Sequence, residues 1–182
     1  MQLKIPEARI AFAQLFTAKQ VNGEGEPAYS ASLIIPKTAL IIKVINATMD
    51  AVAKEKWADK APAVMKLLRQ SDKVFLHDGD LKPDYEGFPG NFFISARNKS
   101  RPVVKDRNAT PLTAADGKPY SGCFVGAILD IWCQENKYGR RVNATLQGVQ
   151  FVRDGDAFSG APPLAEDAFE DLGEGADAAP LA

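Results

Sequence analysis

Apolar and polar residues alternate from Ala8 to Thr17 (ARIAFAQLFT), and a second such run, AYSASLIIP, follows the glycine-rich VNGEGEP. Period-two patterning on both sides of a glycine-rich turn predicts a β-hairpin whose second strand stops at Pro36. The period then changes. Ile41, Ile42, Ile45, Met49, Val52 and Ala53, before Trp57, fall at near-3.6 spacing, which predicts a helix with Thr38 as its N-cap. Pro62 suits the first turn of a second short helix, AVMKLLRQ, so the helical insert covers about residues 38–70. After a loop holding Asp78, Gly79, Pro83, Gly87 and Pro89 come three more predicted strands. These are Asn91 to Val104 with a break at Arg101-Pro102, Cys123 to Cys133, and Arg140 to Val152. Helices occur between strands only once, so the pattern predicts a mainly β protein built as a small barrel, not a parallel α/β sheet.

The same alternation sorts the stretch NFFISARNKSRPVVKDR. Phe92, Ile94 and Ala96 share one face and fit a barrel interior, while Phe93, Ser95, Arg97 and Lys99 share the other. Arg101, Lys105 and Arg107 follow within a few residues. An aromatic ring beside cations suits a single nucleic-acid strand, because bases stack on the ring and cations track phosphates. Trp132 precedes a predicted hairpin tip that carries Lys137, Tyr138, Arg140 and Arg141, with Gly139 permitting the turn. Phe93 and Trp132 also read as cover for the helix pair, and cations on edge strands also discourage sheet-to-sheet association.

Charge distribution strengthens the nucleic-acid reading. The 182 residues have a formal net charge of -1 and 46% apolar content, enough for one core. From Asp154 onward the chain holds eight of the 23 acids and none of the 22 Lys and Arg, so residues 1–153 carry +7 and residues 154–182 carry -8. A basic body followed by an acidic tail is a sequence-level pointer to a polyanion-binding protein. The composition of residues 154–182, rich in Ala, Gly, Pro and acid, predicts a disordered tail. Within it, Glu166, Asp167, Phe169, Glu170, Asp171 and Leu172 form a short acidic-aromatic stretch able to dock on a partner, with plain solubilisation as the alternative.

Other chemistry finds little support. No apolar run approaches the roughly 18 residues of a membrane span, and MQLKIPEARI lacks the apolar segment of a signal peptide, so a cytoplasmic protein is expected. Cys123 and Cys133 lie ten positions apart in one predicted strand, out of disulfide reach, and are expected to be reduced. His77-Asp78-Gly79-Asp80 reads as a polar turn, since a single histidine and the wrong spacing argue against a metal site. Gly23-Glu24-Gly25 has no lysine or helix start behind it to bind phosphate. No catalytic constellation, metal or cofactor is expected. Two other functions stay open: a scaffold whose basic face binds an acidic protein, and a magnesium-dependent nuclease using Asp78, Asp80 and Asp84.

The order ARIAFAQLF, YSASLIIPK, helix, GNFFISARNKSRPVV, YSGCFVGAILDIWCQEN and acidic tail resembles the single-stranded DNA-binding proteins of tailed bacteriophages. The resemblance implies an OB-fold, a five-stranded, partly open Greek-key barrel. It implies protection of single strands during phage DNA replication, recombination and repair, in the host cytoplasm. It also implies a tail that competes with DNA for the basic groove and recruits replication or recombination proteins.

Overall fold

The first strand is 20 residues long, β1 (Gln2–Val21), and a straight strand of that length would span about 65 Å. It bends instead. Leu3 and Ile5 point inward, then Ala8 and Ile10, then Leu15, so the inward parity changes twice along the strand. Each change sits at a bulge, one between Ile5 and Ala8 and one between Ala11 and Gln14, and bulges turn a strand while resetting its facing. The first half of β1 can therefore pair with one partner and the second half with another, as a small barrel requires.

The computed structural model describes residues 1–21 and 23–158. The second half of β1 pairs antiparallel with β2 (Glu24–Pro36), which pairs with β4 (Asn91–Asn98). The first half of β1 pairs with β6 (Phe124–Asn136), which pairs in a hairpin with β7 (Gly139–Arg153). A parallel contact between β4 and β7, Arg97 opposite Thr145, closes the ring of five strands. Two short strands extend it: β3 (Leu76–Asp78) on the outer edge of β4 and β5 (Val103–Lys105) along β7. Inward residues Ile5, Ile10, Leu33, Ile35, Ile94, Leu129, Ile131 and Leu146 fill the interior.

The helix pair, α1 (Ile41–Trp57) and α2 (Ala61–Gln70), is inserted between β2 and β3 and joins the same core through Ile45, Met49, Val52, Ala53 and Trp57 of α1 and Val64, Met65 and Leu68 of α2. The predicted stripe and the proline in the first turn of α2 are both present. The cap is different: α1 begins at Ile41 with Leu40 at the cap position and no side-chain cap bond, so Thr38 lies in the preceding turn. The strand break at Arg101-Pro102 is real. The segment read as a polar turn around His77 is instead β3 followed by a one-turn 3-10 helix at Gly79–Leu81. Among the described residues no helix is long and apolar enough to cross a membrane. Cys123 and Cys133 are free thiols, and burial pushes Cys123 up to about 11.

A second, smaller apolar cluster lies outside the barrel, where Ala11, Ile34 and Phe93 meet Phe88 of the loop after β3 and Phe158. The composition of 154–182 predicts a tail starting at Asp154, but residues 154–158 are tied to the body by hydrogen bonds and by the buried Phe158 ring. Tyr120 Oη donates to Asp154 Oδ1 at 2.7 Å, and Arg9 Nε and Nη2 donate to the Gly122 and Asp156 carbonyls. Gly122 and Gly155 allow this approach, since a Cβ on Gly122 would lie 2.2 Å from the Asp156 oxygen. The predicted docking stretch, Glu166 to Leu172, lies outside the described residues.

A chain ending at residue 153 should unfold at lower denaturant than one ending at residue 158. Loss of the buried Phe158 ring accounts for a difference of about 3 kcal/mol, and equal midpoints would show that this segment adds nothing to the fold.

Candidate nucleic-acid interface

Period two along β6 and β7 sends Val125, Ala127, Leu129 and Ile131, with Val142, Ala144 and Leu146, into the core. The same rule turns Trp132, Asn143 and Thr145 outward. Trp132 is 42% exposed and its Nε1 donates to Thr145 Oγ1 at 3.0 Å, which fixes the ring against β7. Arg97 comes to the same place because it is the residue of β4 that meets Thr145 across the closing seam.

These side chains line an open cleft of ≈ 840 Å³. Its walls are Trp132, Gln134, Arg141, Asn143 and Thr145 from the β6–β7 hairpin, Ser95, Arg97 and Lys99 from β4 and its end, His77 of β3, and Glu24 and Glu26 from the β1–β2 hairpin. Four predicted residues therefore converge: Arg97, Lys99, Trp132 and Arg141. One cation is already engaged, for Lys99 forms an ion pair with Glu26 across the cleft mouth. The hydrogen bond and charge of Lys99 hold the Glu26 carboxyl below the usual carboxylate range.

Phe93 shares the outward face with Ser95 and Arg97 as its parity predicts, but its ring is buried. Phe88 packs on it at 4.8 Å between centroids and His77 at 5.0 Å, so it presents no open stacking surface. Arg140 turns away from the cleft. Its Nε donates to Glu135 Oε1 at 3.0 Å while Trp57 Nε1 donates to Glu135 Oε2 at 2.9 Å, a clamp between helix pair and hairpin. Tyr138 stands at the hairpin tip, 76% exposed, with Lys137 over its ring at 5.1 Å. Arg101 lies over Phe16 at 5.5 Å. Lys105 and Arg107 are carried by β5 and its exit to the far part of β7, where Arg107 donates to the Val152 carbonyl. That point is seven residues past Thr145, about 23 Å along a strand.

Sequence reading missed His77, Gln134, Asn143, Thr145, Glu24 and Glu26 as cleft residues. The alternation that put Trp132 outside could have found Gln134, Asn143 and Thr145. The acids of the β1–β2 tip reach the cleft through the hairpin's path, which leaves no local signal.

Two of the three carboxylates of the nuclease reading, Asp78 and Asp80, are otherwise employed. Lys37 Nζ lies 2.8 Å from Asp78 Oδ1 and 2.7 Å from Asp80 Oδ2, filling with an ammonium the place a cation would take. Asp80 Oδ1 also accepts from the Gly90 N–H, tying down the loop between β3 and β4. Among the described residues no three metal-ligating side chains come together.

A five-stranded ring in this order, with a cleft between two hairpin ends, is an OB-fold, the barrel class in which a strand face and the flanking hairpin loops hold oligonucleotides or oligosaccharides. The chain belongs to the family of the single-stranded DNA-binding protein of Enterobacter phage Enc34, which it matches over residues 1–179. Protein p50 of Acyrthosiphon pisum secondary endosymbiont phage 1 is 43% identical over 175 residues, 94% of each chain. The structure of the Enc34 protein in complex with single-stranded DNA aligns with a TM-score of 0.73 at 29% identity, covering 87% of this chain and 89% of that one. The bacteriophage T7 single-stranded DNA-binding protein gp2.5 shares the fold at TM-score 0.60 and 14% identity, over 95% and 97% of the two chains.

Hydrogen bonds from Lys37, joined by the Asp80 and Gly90 N–H groups, hold Asp78 and Asp80 below their usual 3.8. This contribution to stability is complete above the ordinary Asp range and is lost as pH falls through the lowered folded values. Lys37→Met should move both carboxyl pKa values upward, read by carbon NMR titration; unchanged values would show that Lys37 does not hold the loop.

Proposed function

We propose that this protein binds single-stranded DNA with little regard to sequence and protects strands exposed during phage DNA replication, recombination and repair. The observation that carries the reading is the convergence of one fixed, half-exposed indole with Arg97, Arg141 and Lys99 in an open cleft. An aromatic face accepts any base, and cations on either side track the backbone. The Enc34 relative, whose structure holds single-stranded DNA at the same fold, supports it. Lys137 and Tyr138 at the β6–β7 hairpin tip and Arg101 after β4, all exposed outside the cleft lining, are proposed to extend the interface with two cations and one ring. Lys105 and Arg107 belong to the interface only if the strand continues along β7.

The acidic C-terminal residues are proposed as a competitor for this cleft and a recruiter of replication or recombination proteins. Support comes from charge: residues 159–182 hold six acids and no Lys or Arg. Phe169 and Leu172 offer the apolar contacts a partner would need.

A salt titration of affinity for single-stranded and duplex oligonucleotides tests the reading. Single strands should bind more tightly, with a log-log slope near -1.4 if Arg97 and Arg141, the two cleft cations outside the Lys99–Glu26 pair, each release about 0.7 counterions. Arg97→Ala should flatten the slope by about 0.7, whereas Trp132→Ala should weaken binding roughly 5- to 100-fold with the slope kept. Tighter binding to duplex, or to an acidic protein with no oligonucleotide affinity, would replace this function.

Two acid changes separate the competitors. Glu26→Gln frees Lys99 and should tighten binding severalfold while steepening the slope by about 0.7. Ending the chain at residue 158 should tighten binding most at low salt. No change at low salt would remove the tail as a competitor.

A further inference from the structure

Phe12 is unusual on backbone grounds. Its φ is +50°, in the left-handed region that residues with a Cβ seldom occupy, yet its ring is 53% exposed. It sits in the bulge between Ala11 and Gln14. Ala11 packs in the outer cluster beside Phe88, and the Phe12 ring meets Phe88 too, at 5.9 Å. Regular alternation would send these consecutive residues to opposite faces; the bulge delivers both to one. Tyr85, 43% exposed, meets Phe12 edge-on at 5.0 Å. Backbone strain is thus maintained around a ring that stays half in water, the kind of outlier that points to a site.

Paired strands connect this ring pair with the cleft. Ser95 and Arg97, on the cleft wall, pair with Ser32 and Ser30 of β2, which pair in turn with Ala11 and Gln14 of β1. Serines at 30, 32 and 95 are the small residues along that path, with Gln14 at its β1 edge and His77 at its cleft edge. Two strand spacings and two residues of rise separate Arg97 from Phe12, about 12 Å, within the reach of the roughly 4 to 16 nucleotides one OB barrel binds.

We propose that Phe12 and Tyr85 form a second base-stacking subsite for the same DNA strand, reached from the Trp132 cleft across the Ser30, Ser32 and Ser95 floor. The proposal rests on the single-strand reading above. Its chemistry differs from that of the cleft. Lys82 lies 5.9 Å from the Tyr85 ring centroid, but Asp84 stands beside Tyr85 in sequence, and Asp78 and Asp80 share Lys37. Net positive charge here is small, so stacking holds the base and phosphate neutralisation adds little.

Oligothymidylates of about 4 to 16 nucleotides test it, with the full chain and an affinity measured at each length. Phe12→Ala and Tyr85→Ala should leave the shortest oligomers bound as in the wild type and weaken the longest roughly 5- to 150-fold, with the salt slope unchanged. Phe12→Tyr should restore long-oligomer affinity. Trp132→Ala should weaken every length. Wild-type affinity of Phe12→Ala for the longest oligomer, with Trp132→Ala still impaired, would overturn the subsite and leave the cleft standing. An equal loss at every length would overturn it too, since the ring would then act through the fold. A wild-type protein that binds no oligomer would fail at the level of the single-strand reading itself.

Discussion

Closing the barrel between β4 and β7 is the constraint on which the rest depends, because those two strands share a single ladder pair, Arg97 with Thr145. A seam so short cannot by itself satisfy the flanking backbone groups. The gap is filled from outside the ladder. Ser95 N–H donates to the Phe75 carbonyl, Val142 N–H to the Lys73 carbonyl, and the Asn98 amide to the Leu146 carbonyl. The segment leading into β3 thereby becomes part of the wall, and the helix pair that precedes it is held against the barrel end by the Trp57–Glu135–Arg140 clamp. The cleft lies over this seam. Where the two strands part, their outward side chains face one another across a gap instead of packing flat, and Arg97, Thr145 and Trp132 line what results.

A second layer explains why one aromatic is hidden and another is not. Leu33, Ile34 and Ile35 of β2 are all buried, and they pair with Ile94, Phe93 and Phe92 of β4. Consecutive apolar residues in two paired strands mark a sheet covered on both faces. The cover is the loop after β3, anchored by Lys37 and bringing Phe88, together with Phe158 from the chain's later residues. Trp132 lies on a strand whose outward neighbours Asp130 and Gln134 are polar, and among the described residues it stays 42% exposed.

That contrast shows how far the sequence could be read. Local pattern located the five barrel strands, the break at Pro102, the helix stripe and the outward facing of Trp132, because each depends on local geometry, while it missed β3 and the first residues of β1. It also assigned the facing of Phe93 correctly. Exposure was another matter: whether an outward residue meets water depends on a loop arriving from elsewhere, and only the unbroken SLIIP and NFFI runs hinted at it. The same limit applies to the start of α1, where Pro36 and a turn displace the cap from Thr38, and to residues 154–158, whose polar composition conceals the one ring that packs.

Charge was legible in amount and not in arrangement. Arg97 to Arg107 look like one cationic cluster in sequence, but β4 ends at Asn98, and Pro102, which cannot donate to a ladder, leads into β5, which runs along residues 148–150 of β7. Arg141, 44 residues after Arg97, reaches the cleft in place of Lys105 and Arg107. Several other cations serve the fold: Arg9 ties residues 122 and 156 together, Arg140 joins the helix clamp, and Arg153 pairs with Glu7 over Phe124. A guanidinium is suited to this work, since its planar fork donates in several directions at once and its face stacks on rings. The net +7 of the body therefore overstates the charge available to a polyanion in any one place. The cleft's own acids reduce it further, leaving a few cations and one indole whose positions, set by the barrel seam, decide what the surface can hold.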